Sequence, residues 1–447
     1  MQDLQRKYGI WTATAMVVGI VIGSGVFFKA DDVLLASGGS LPTALLAWLI
    51  GGSIMVVTAF VFAKIATRIE RVNGLVDYFE EAYGWRAGYL VAWFMTFVYY
   101  PTLVAVLAWV SANYTIGLLG LAQGVWLLAA AYLVLFFLLN IYSPVLAGMW
   151  QVSATVIKLI PLALVAVVGV ITGLFSGQTF SSFANSAQTV SSGGGLAVAT
   201  LATAFAYEGW IIATSINAEL KDAKRTLPKA LFFGSTAVVI IYMLYYLGIS
   251  GVLSNERILA AGDGAPVEVI ALIFGRLGGT LLTVFVIISC LGTLNGLIMG
   301  ASRGMFAIAS RGLGPSPRFF GTIDRRTNST GNSAILGFIL SAFWLVVWYG
   351  NFAGWFGKFM DISELPIAFL YVIYISLYIW VMRRFTDLGP FSRYAAPLLA
   401  GAGSVYIIWG AIQKDLFVHF FLLTLVIVLA GLPFMRSPLP APQLRQY

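Results

Sequence analysis

The sequence predicts an all-α integral membrane protein of twelve transmembrane helices, two of them interrupted at mid-span. Three observations carry this. Hydrophobic residues make up 60% of the 447 and charged residues only 10%, against about 25% charged in a soluble domain. Mean hydropathy is +0.91, more apolar surface than an aqueous fold can hide, so lipid must cover part of it. Apolar runs of about 20 residues, each long enough to cross a bilayer, follow one another along the chain.

The spans are expected at 11–36, 42–67, 87–118, 125–141, 147–174, 196–218, 231–253, 280–309, 333–350, 359–382, 395–412 and 416–433. Pro42 opens the second, and Pro228 sits just before the seventh. The uncharged stretch 176–195 reads as a Ser/Gly/Asn loop. No second domain or long linker is visible, so residues 1–433 read as one transmembrane domain. The proline-rich segment 434–447 is expected to be a disordered cytoplasmic tail. The first apolar segment is too long for a cleavable signal peptide and has no small-residue cleavage site followed by a soluble domain.

Charge tests the count. With both termini inside, nineteen of the 26 Lys and Arg residues fall in inner segments. Lys29, Arg257, Arg276, Lys358 and Lys414 fall outside, while Lys64 and Lys158 lie within spans. This asymmetry alternates loop by loop and supports an even number of spans with cytoplasmic termini in the cell's inner (plasma) membrane. It also accounts for the net charge of +8, which in a soluble protein would suggest nucleic acid; none is expected here, and membrane lipids are the natural surroundings.

The first span contains Gly19-Ile20-Val21-Ile22-Gly23-Ser24-Gly25-Val26-Phe27. Each glycine costs about 1 kcal/mol in a helix relative to alanine and permits unwound backbone, which at that depth must be buried in protein or line a cavity. Gly19 and Gly23 also fit the Gly-x-x-x-Gly spacing of a packing face, so this segment alone leaves both readings open. The sixth span reads Phe205-Ala206-Tyr207-Glu208-Gly209-Trp210, with a carboxylate beside a glycine at mid-span. An ionisable group there is a functional-site candidate.

Interruptions in the first and sixth of twelve helices place them correspondingly in two five-helix halves, 11–174 and 196–382, before a final pair, 395–433. That is the pattern of a 5+5 inverted repeat, the leucine transporter fold. A half-helix N-terminus exposes free N–H groups and a positive dipole end, so Ser24 and Gly25, with Gly23 in the turn, could hold a carboxylate. Carbonyls near Val21 and around Phe205 and Glu208 could accept an ammonium. Such a site takes the invariant part of an α-amino acid, and side chains of helices three, six, eight and ten would meet the variable part. Glu208 could bind an amine, carry a proton or brace the unwound segment; bracing is favoured.

The chain resembles the amino acid–polyamine–cation transporters, and within them the L-amino acid transporter group. Gly23-Ser24-Gly25-Val26-Phe27 matches that family's first-helix motif, Asn217 to Pro228 looks like its sixth-helix loop, and Ser289 to Gly296 with Ala301-Ser302-Arg303 is similar to its eighth helix. The resemblance implies amides at Ser24 and Gly25 for the substrate carboxylate, carbonyls of Val21, Phe205 and Glu208 for the amine, and an aromatic gate at Phe205. It implies a sodium-independent exchanger of small neutral L-amino acids (alanine, serine, cysteine, glycine) working by alternating access. Animal members carry a cysteine between helices three and four that bonds a heavy subunit; here residues 119–124 hold none, so no disulfide-linked partner is expected.

Lys158 lies half-way along the fifth span, too deep to snorkel easily. In the family resembled, a lysine here occupies the place of sodium in sodium-coupled relatives. Its partners would be a carbonyl at Gly19 or Ile20 and the hydroxyl of Ser289. A desolvated lysine can lose its proton, which keeps proton coupling open. Lys64, near the inner end of the second span, is expected to snorkel.

The alternative is a proton-coupled or cationic amino acid/polyamine carrier, but few acids sit at depth: Glu208, with Asp361 or Glu364 near the tenth span. An enzyme is not expected: His419 is the only histidine, Cys290 the only cysteine, and no H-E-x-x-H is present. No cofactor and no metal are expected. A channel would need a charge- or carbonyl-lined pore. Tyr207, Tyr242, Tyr245 and Trp210 read as packing or interfacial side chains, and Tyr246 could close the outer path.

Overall fold

The computed structural model describes residues 9–69, 74–185, 195–213, 220, 222–324 and 326–435. Among these, eleven helices are long and apolar enough to cross a membrane, and Gly195–Ala206 is a shorter apolar helix. It is the first half of the sixth span, cut short by the break that follows it. Extended structure among the described residues is a single isolated bridge between Asp324 and Ser329.

Both expected interruptions are present. The first helix runs Ile10–Val21, turns through 22–24, resumes at Gly25–Phe28 and continues after Lys29 as Ala30–Ala36. The sixth stops at Ala206 and resumes at Trp210–Ala213. Residues 214–218, the end of that expected span, lie outside the described residues, as does the expected tail 434–447 from 436 onward, whereas Phe434 belongs to the short helix Leu432–Phe434.

Several boundaries differ from the sequence reading. The seventh helix begins at Ala223, so Pro228 lies inside it. A proline this close to the N-terminus removes only the bond to the Lys224 carbonyl. The tenth begins at Glu364, after a turn in which Asp361 Oδ1 accepts from the Ser363 N–H at 2.8 Å. The stretch 176–195 is not all loop: Gln178–Ala184 is helical, and 186–194 lie outside the described residues. Ala265–Ala309 contains two helices joined at Gly275, whose φ of 76° only glycine adopts readily.

Three of the described helices carry a π-helical turn, at Met95–Tyr99 in the third, Val165–Gly169 in the fifth and Phe391–Ala395 at the start of the eleventh. The fifth is also interrupted at Lys158. Pro161 lacks the N–H that would bond the Ile157 carbonyl, which loosens the ladder there.

The chain divides into two compact units. One comprises residues 1–78, 156–286 and 367–414: helices one, two, six, seven and eleven, with most of five and ten. The other comprises 79–155, 287–366 and 415–447: helices three, four, nine and twelve, with most of eight. The partition treats the halves alike, since one and two go with six and seven, and three and four with eight and nine.

In the first unit, small residues let backbones meet. A Cβ on Gly52 would come within 2.5 Å of Val239 and 3.0 Å of the Tyr207 hydroxyl, and one on Gly51 would collide with Thr203. The second helix therefore admits the sixth and seventh against its own backbone. Gly169 and Gly248 do the same for helices five and seven, each leaving room for a carbonyl of the other helix. In the second unit, Asn295 donates to the Ala147 carbonyl at 3.0 Å and accepts from Asn140 at 2.9 Å, while the Trp344 indole donates to the Phe97 carbonyl inside the π turn at 3.0 Å.

Candidate functional site

Val21, Gly23, Ser24, Gly25, Phe205 and Glu208 all belong to the first unit, and the two helix breaks lie side by side within it. A Cβ on Gly25 would meet Ala206 Cα at 2.7 Å and Phe205 Cδ1 at 2.9 Å. On the other flank, one on Gly209 would lie 3.3 Å from the Ile20 carbonyl oxygen. Glycine is required at both: at Gly25 by the approach of the sixth helix, and at Gly209 also by a φ of 109°.

Each break has its own hydrogen-bond pattern. Ile22 is extended (φ −65°, ψ 96°), and its N–H still bonds the Val18 carbonyl at 2.9 Å. No side chain caps the helix that starts at Gly25. Ser24 is only 1% exposed, and its hydroxyl has no hydrogen-bond partner among the described residues. A buried hydroxyl left unpaired beside uncapped amides is costly without a ligand. At the sixth-helix break, the Tyr207 N–H bonds the Thr203 carbonyl at 3.1 Å and the Glu208 N–H bonds that of Phe205 at 3.2 Å. The Phe205 carbonyl is thus already engaged once, with a second lone pair still available. The Glu208 side chain is half-buried.

The unwound first helix is held from two directions. Lys158 is buried, and its Nζ donates to the Gly19 carbonyl at 2.6 Å, one of the two carbonyls expected from the sequence. The Tyr242 hydroxyl donates to the Val21 carbonyl at 3.3 Å. These are orphan acceptors of a helix C-terminus, met by a cation and a phenol. Ser289, the other expected partner of Lys158, is buried in the second unit, and its hydroxyl has no hydrogen-bond partner among the described residues, so that expected bond is not found.

Aromatic side chains pack around the breaks. Tyr207 donates to the Trp48 carbonyl at 3.0 Å and stacks on Tyr242 with ring centroids 5.3 Å apart. Trp48 touches Tyr207, Tyr242 and Tyr246, and the buried Tyr246 hydroxyl has no hydrogen-bond partner among the described residues. Trp210 packs on Phe62 and Tyr374, and Tyr245 on Phe27. Phe205 meets Phe28 edge-on at 5.3 Å.

Lys64 is half-buried at the end of the second helix, its Nζ 4.9 Å from the Phe60 ring. Asp361 caps the turn before the tenth helix, and Glu364 is buried. Cys290 is a buried free thiol and His419 is exposed. Among the described residues, no three His, Cys, Asp or Glu side chains gather as metal ligands would. Sequence reasoning missed Tyr242 as a backbone anchor, for which no local pattern exists. It also placed Lys29 with ordinary loop charges, although the run Phe27-Phe28-Lys29-Ala30-Asp31-Asp32 was a signal that this lysine has close company.

The family model described as amino acid permease matches residues 8–443. The chain is similar to the serine/threonine exchanger SteT of Bacillus subtilis (strain 168), with 29% identity over 96% of each chain. It is also similar to the human large neutral amino acids transporter small subunit 2, at 31% identity over 70% of this chain and 59% of that one. The mouse Asc-type amino acid transporter 1 matches at 29% over 70% and 60%. The chain thus matches under two thirds of the length of these animal relatives and nearly all of SteT. Among solved structures the fold is similar to that of Mhp1, a nucleobase-cation-symport-1 family transporter in a closed conformation with bromovinylhydantoin bound. The TM-score is 0.57 at 14% identity, over 97% of this chain and 95% of that one.

Proposed function

The chain belongs to the amino acid permease family, and from that premise we propose that it exchanges small neutral L-amino acids across the plasma membrane by alternating access, without sodium. That it is a multi-pass amino acid transporter of the amino acid–polyamine–cation superfamily, not an enzyme, follows from the family and its relatives. The exchange, substrate size and ion requirement are this reading's own.

One observation carries it. Ser24 is a buried hydroxyl without a partner, at an uncapped helix start packed against a second helix break. A carboxylate at the Ser24 and Gly25 amides would satisfy that hydroxyl and the dipole end together. An ammonium would then be met by the second lone pairs of the Val21 and Phe205 carbonyls and by the region of Glu208. Phe205 would close over the bound molecule and Tyr246 would shape the exit. Small neutral substrates are favoured because the acids at depth are few. Lys158, through the Gly19 carbonyl, would do the structural work of a bound sodium ion. The basic residues of alternate loops favour cytoplasmic termini, and the chain is read as one transport domain of two five-helix repeats and a final pair. With no cysteine at 119–124, the reading includes no disulfide-linked subunit.

The test is uptake of labelled alanine into proteoliposomes preloaded with alanine or empty, in sodium or choline medium. Uptake that needs internal alanine and ignores the cation supports the reading. Uptake into empty vesicles at the same rate would refute exchange, and a requirement for sodium would refute the role given to Lys158.

A further inference from the structure

Lys29 is fully buried (0% exposed), although it opens the polar run Lys29-Ala30-Asp31-Asp32 near the outer end of the expected first span. Its backbone (φ −112°, ψ 2°) is the break between Gly25–Phe28 and Ala30–Ala36. Nζ pairs with Asp32 Oδ2 at 2.9 Å. It also lies 5.5 Å from the Phe28 ring centroid and 5.9 Å from that of Phe205, within the range of a cation–π attraction. The same two rings meet edge-on at 5.3 Å. All four residues belong to the first unit.

A buried ammonium must be compensated. Asp32 does so by direct contact and Asp31 by its nearby charge, and the faces of two aromatic rings do so as well. Phe205 therefore meets a fixed positive charge carried by the half-helix that begins at the Ser24–Gly25 amides. An aromatic ring free to swing is drawn toward that charge, and a Lys29 held by Asp32 cannot follow it away.

We propose that Lys29, held by Asp32, is a positioning residue that keeps the Phe205 ring closed over the substrate. This rests on the reading of Phe205 as a gate. Loss of the charge loosens the ring, so bound amino acid escapes faster toward the side opposite the N-terminus while the cycle itself continues.

The experiment is alanine exchange in proteoliposomes by wild type, K29M, K29R, D32N, F205L and the double variant K29M/F205L, with KM measured from each face. K29M is expected to raise KM about tenfold on the face opposite the N-terminus, with the maximal rate within twofold of wild type and K29R restoring KM to within threefold. Added to F205L, K29M should change nothing further. An unaltered KM in K29M beside an altered F205L would overturn the role of Lys29 and leave the gate standing. Unaltered exchange in F205L would overturn the gate itself. A tenfold effect of K29M that persists in the F205L background shows that Lys29 acts elsewhere, and the proposal fails. Should K29M not fold, D32N against K29R carries the same comparison: a raised KM in D32N supports the proposal and an unchanged one overturns it.

Discussion

The Lys158 ammonium donates to the Gly19 carbonyl at 2.6 Å, joining the interrupted fifth helix to the end of the first half-helix. Hydrogen bonds to charged groups contribute about 1.5–3 kcal/mol. K158A is therefore expected to slow alanine exchange by about 10- to 100-fold, since RT is about 0.59 kcal/mol. Wild-type rate and affinity on both faces in K158A would sink this role. An exchange rate flat with pH would remove only the version in which Lys158 carries a proton.

Ser24 separates function from stability. Its hydroxyl is buried without a partner, and removing an unsatisfied polar group is neutral or stabilising. S24A should keep or raise the melting temperature in detergent while alanine affinity falls about tenfold, the worth of one hydrogen bond to a charged group. A melting temperature that drops along with affinity would show that the hydroxyl is structural.

Gly25 has no room for a methyl group, with Ala206 Cα 2.7 Å from where it would sit. Overpacking costs about 1–3 kcal/mol, so G25A should lower the melting temperature and weaken alanine binding together. G209A adds strain at a φ of 109°, about 1–3 kcal/mol. Either variant behaving as wild type in both measurements would contradict the close approach of the two breaks.

Tyr242 holds the Val21 carbonyl by a bond of 3.3 Å. Y242F keeps the ring packed on Tyr207 and Trp48 and removes the hydroxyl that meets the unwound backbone at Val21 and Gly23, about 0.5–1.5 kcal/mol per bond. Alanine KM should rise by up to about tenfold with the melting temperature nearly unchanged. No change in KM would show that the unwound segment needs no phenol.

Asp387 lies between the tenth and eleventh helices and accepts from Arg68, whose guanidinium stands 3.7 Å from the Phe385 ring centroid. The hydrogen bond from Arg68 holds the Asp387 carboxyl below its ordinary 3.8. A depressed folded pKa stabilises above the unfolded value and loses that contribution as pH falls through the folded one. The group is at the surface, so the effect is small. A melting-temperature gap between wild type and D387N should be present at neutral pH and close as the medium is acidified below about pH 4. A gap that widens on acidification would reverse the sign argued here.

The sequence made the spans and both breaks legible because each follows from local chemistry. Apolar length marks a span, and Gly23-Ser24-Gly25 and Glu208-Gly209 mark where a helix cannot comfortably continue. Lys158 was legible for the same reason, as a charge where a charge is costly. Long-range partners were not. Tyr242 reaches Val21 across 221 positions, and nothing near either residue announces it. Lys29 looked like a loop charge because periodicity cannot show that a side chain at a backbone break is buried. Pro228 misplaced the start of the seventh helix, since proline forbids helix before it less strictly near an N-terminus.

The cation at the Gly19 carbonyl is part of the chain. An ion drawn from the medium has a chemical potential on each side of the membrane, and its passage can do work. A covalently held ammonium fills its place at any salt concentration and never crosses. On the proposed reading, and with its proton retained through the cycle, such an ammonium would order the first helix without adding a driving force, and the energetics of a turnover would then contain only the cargo.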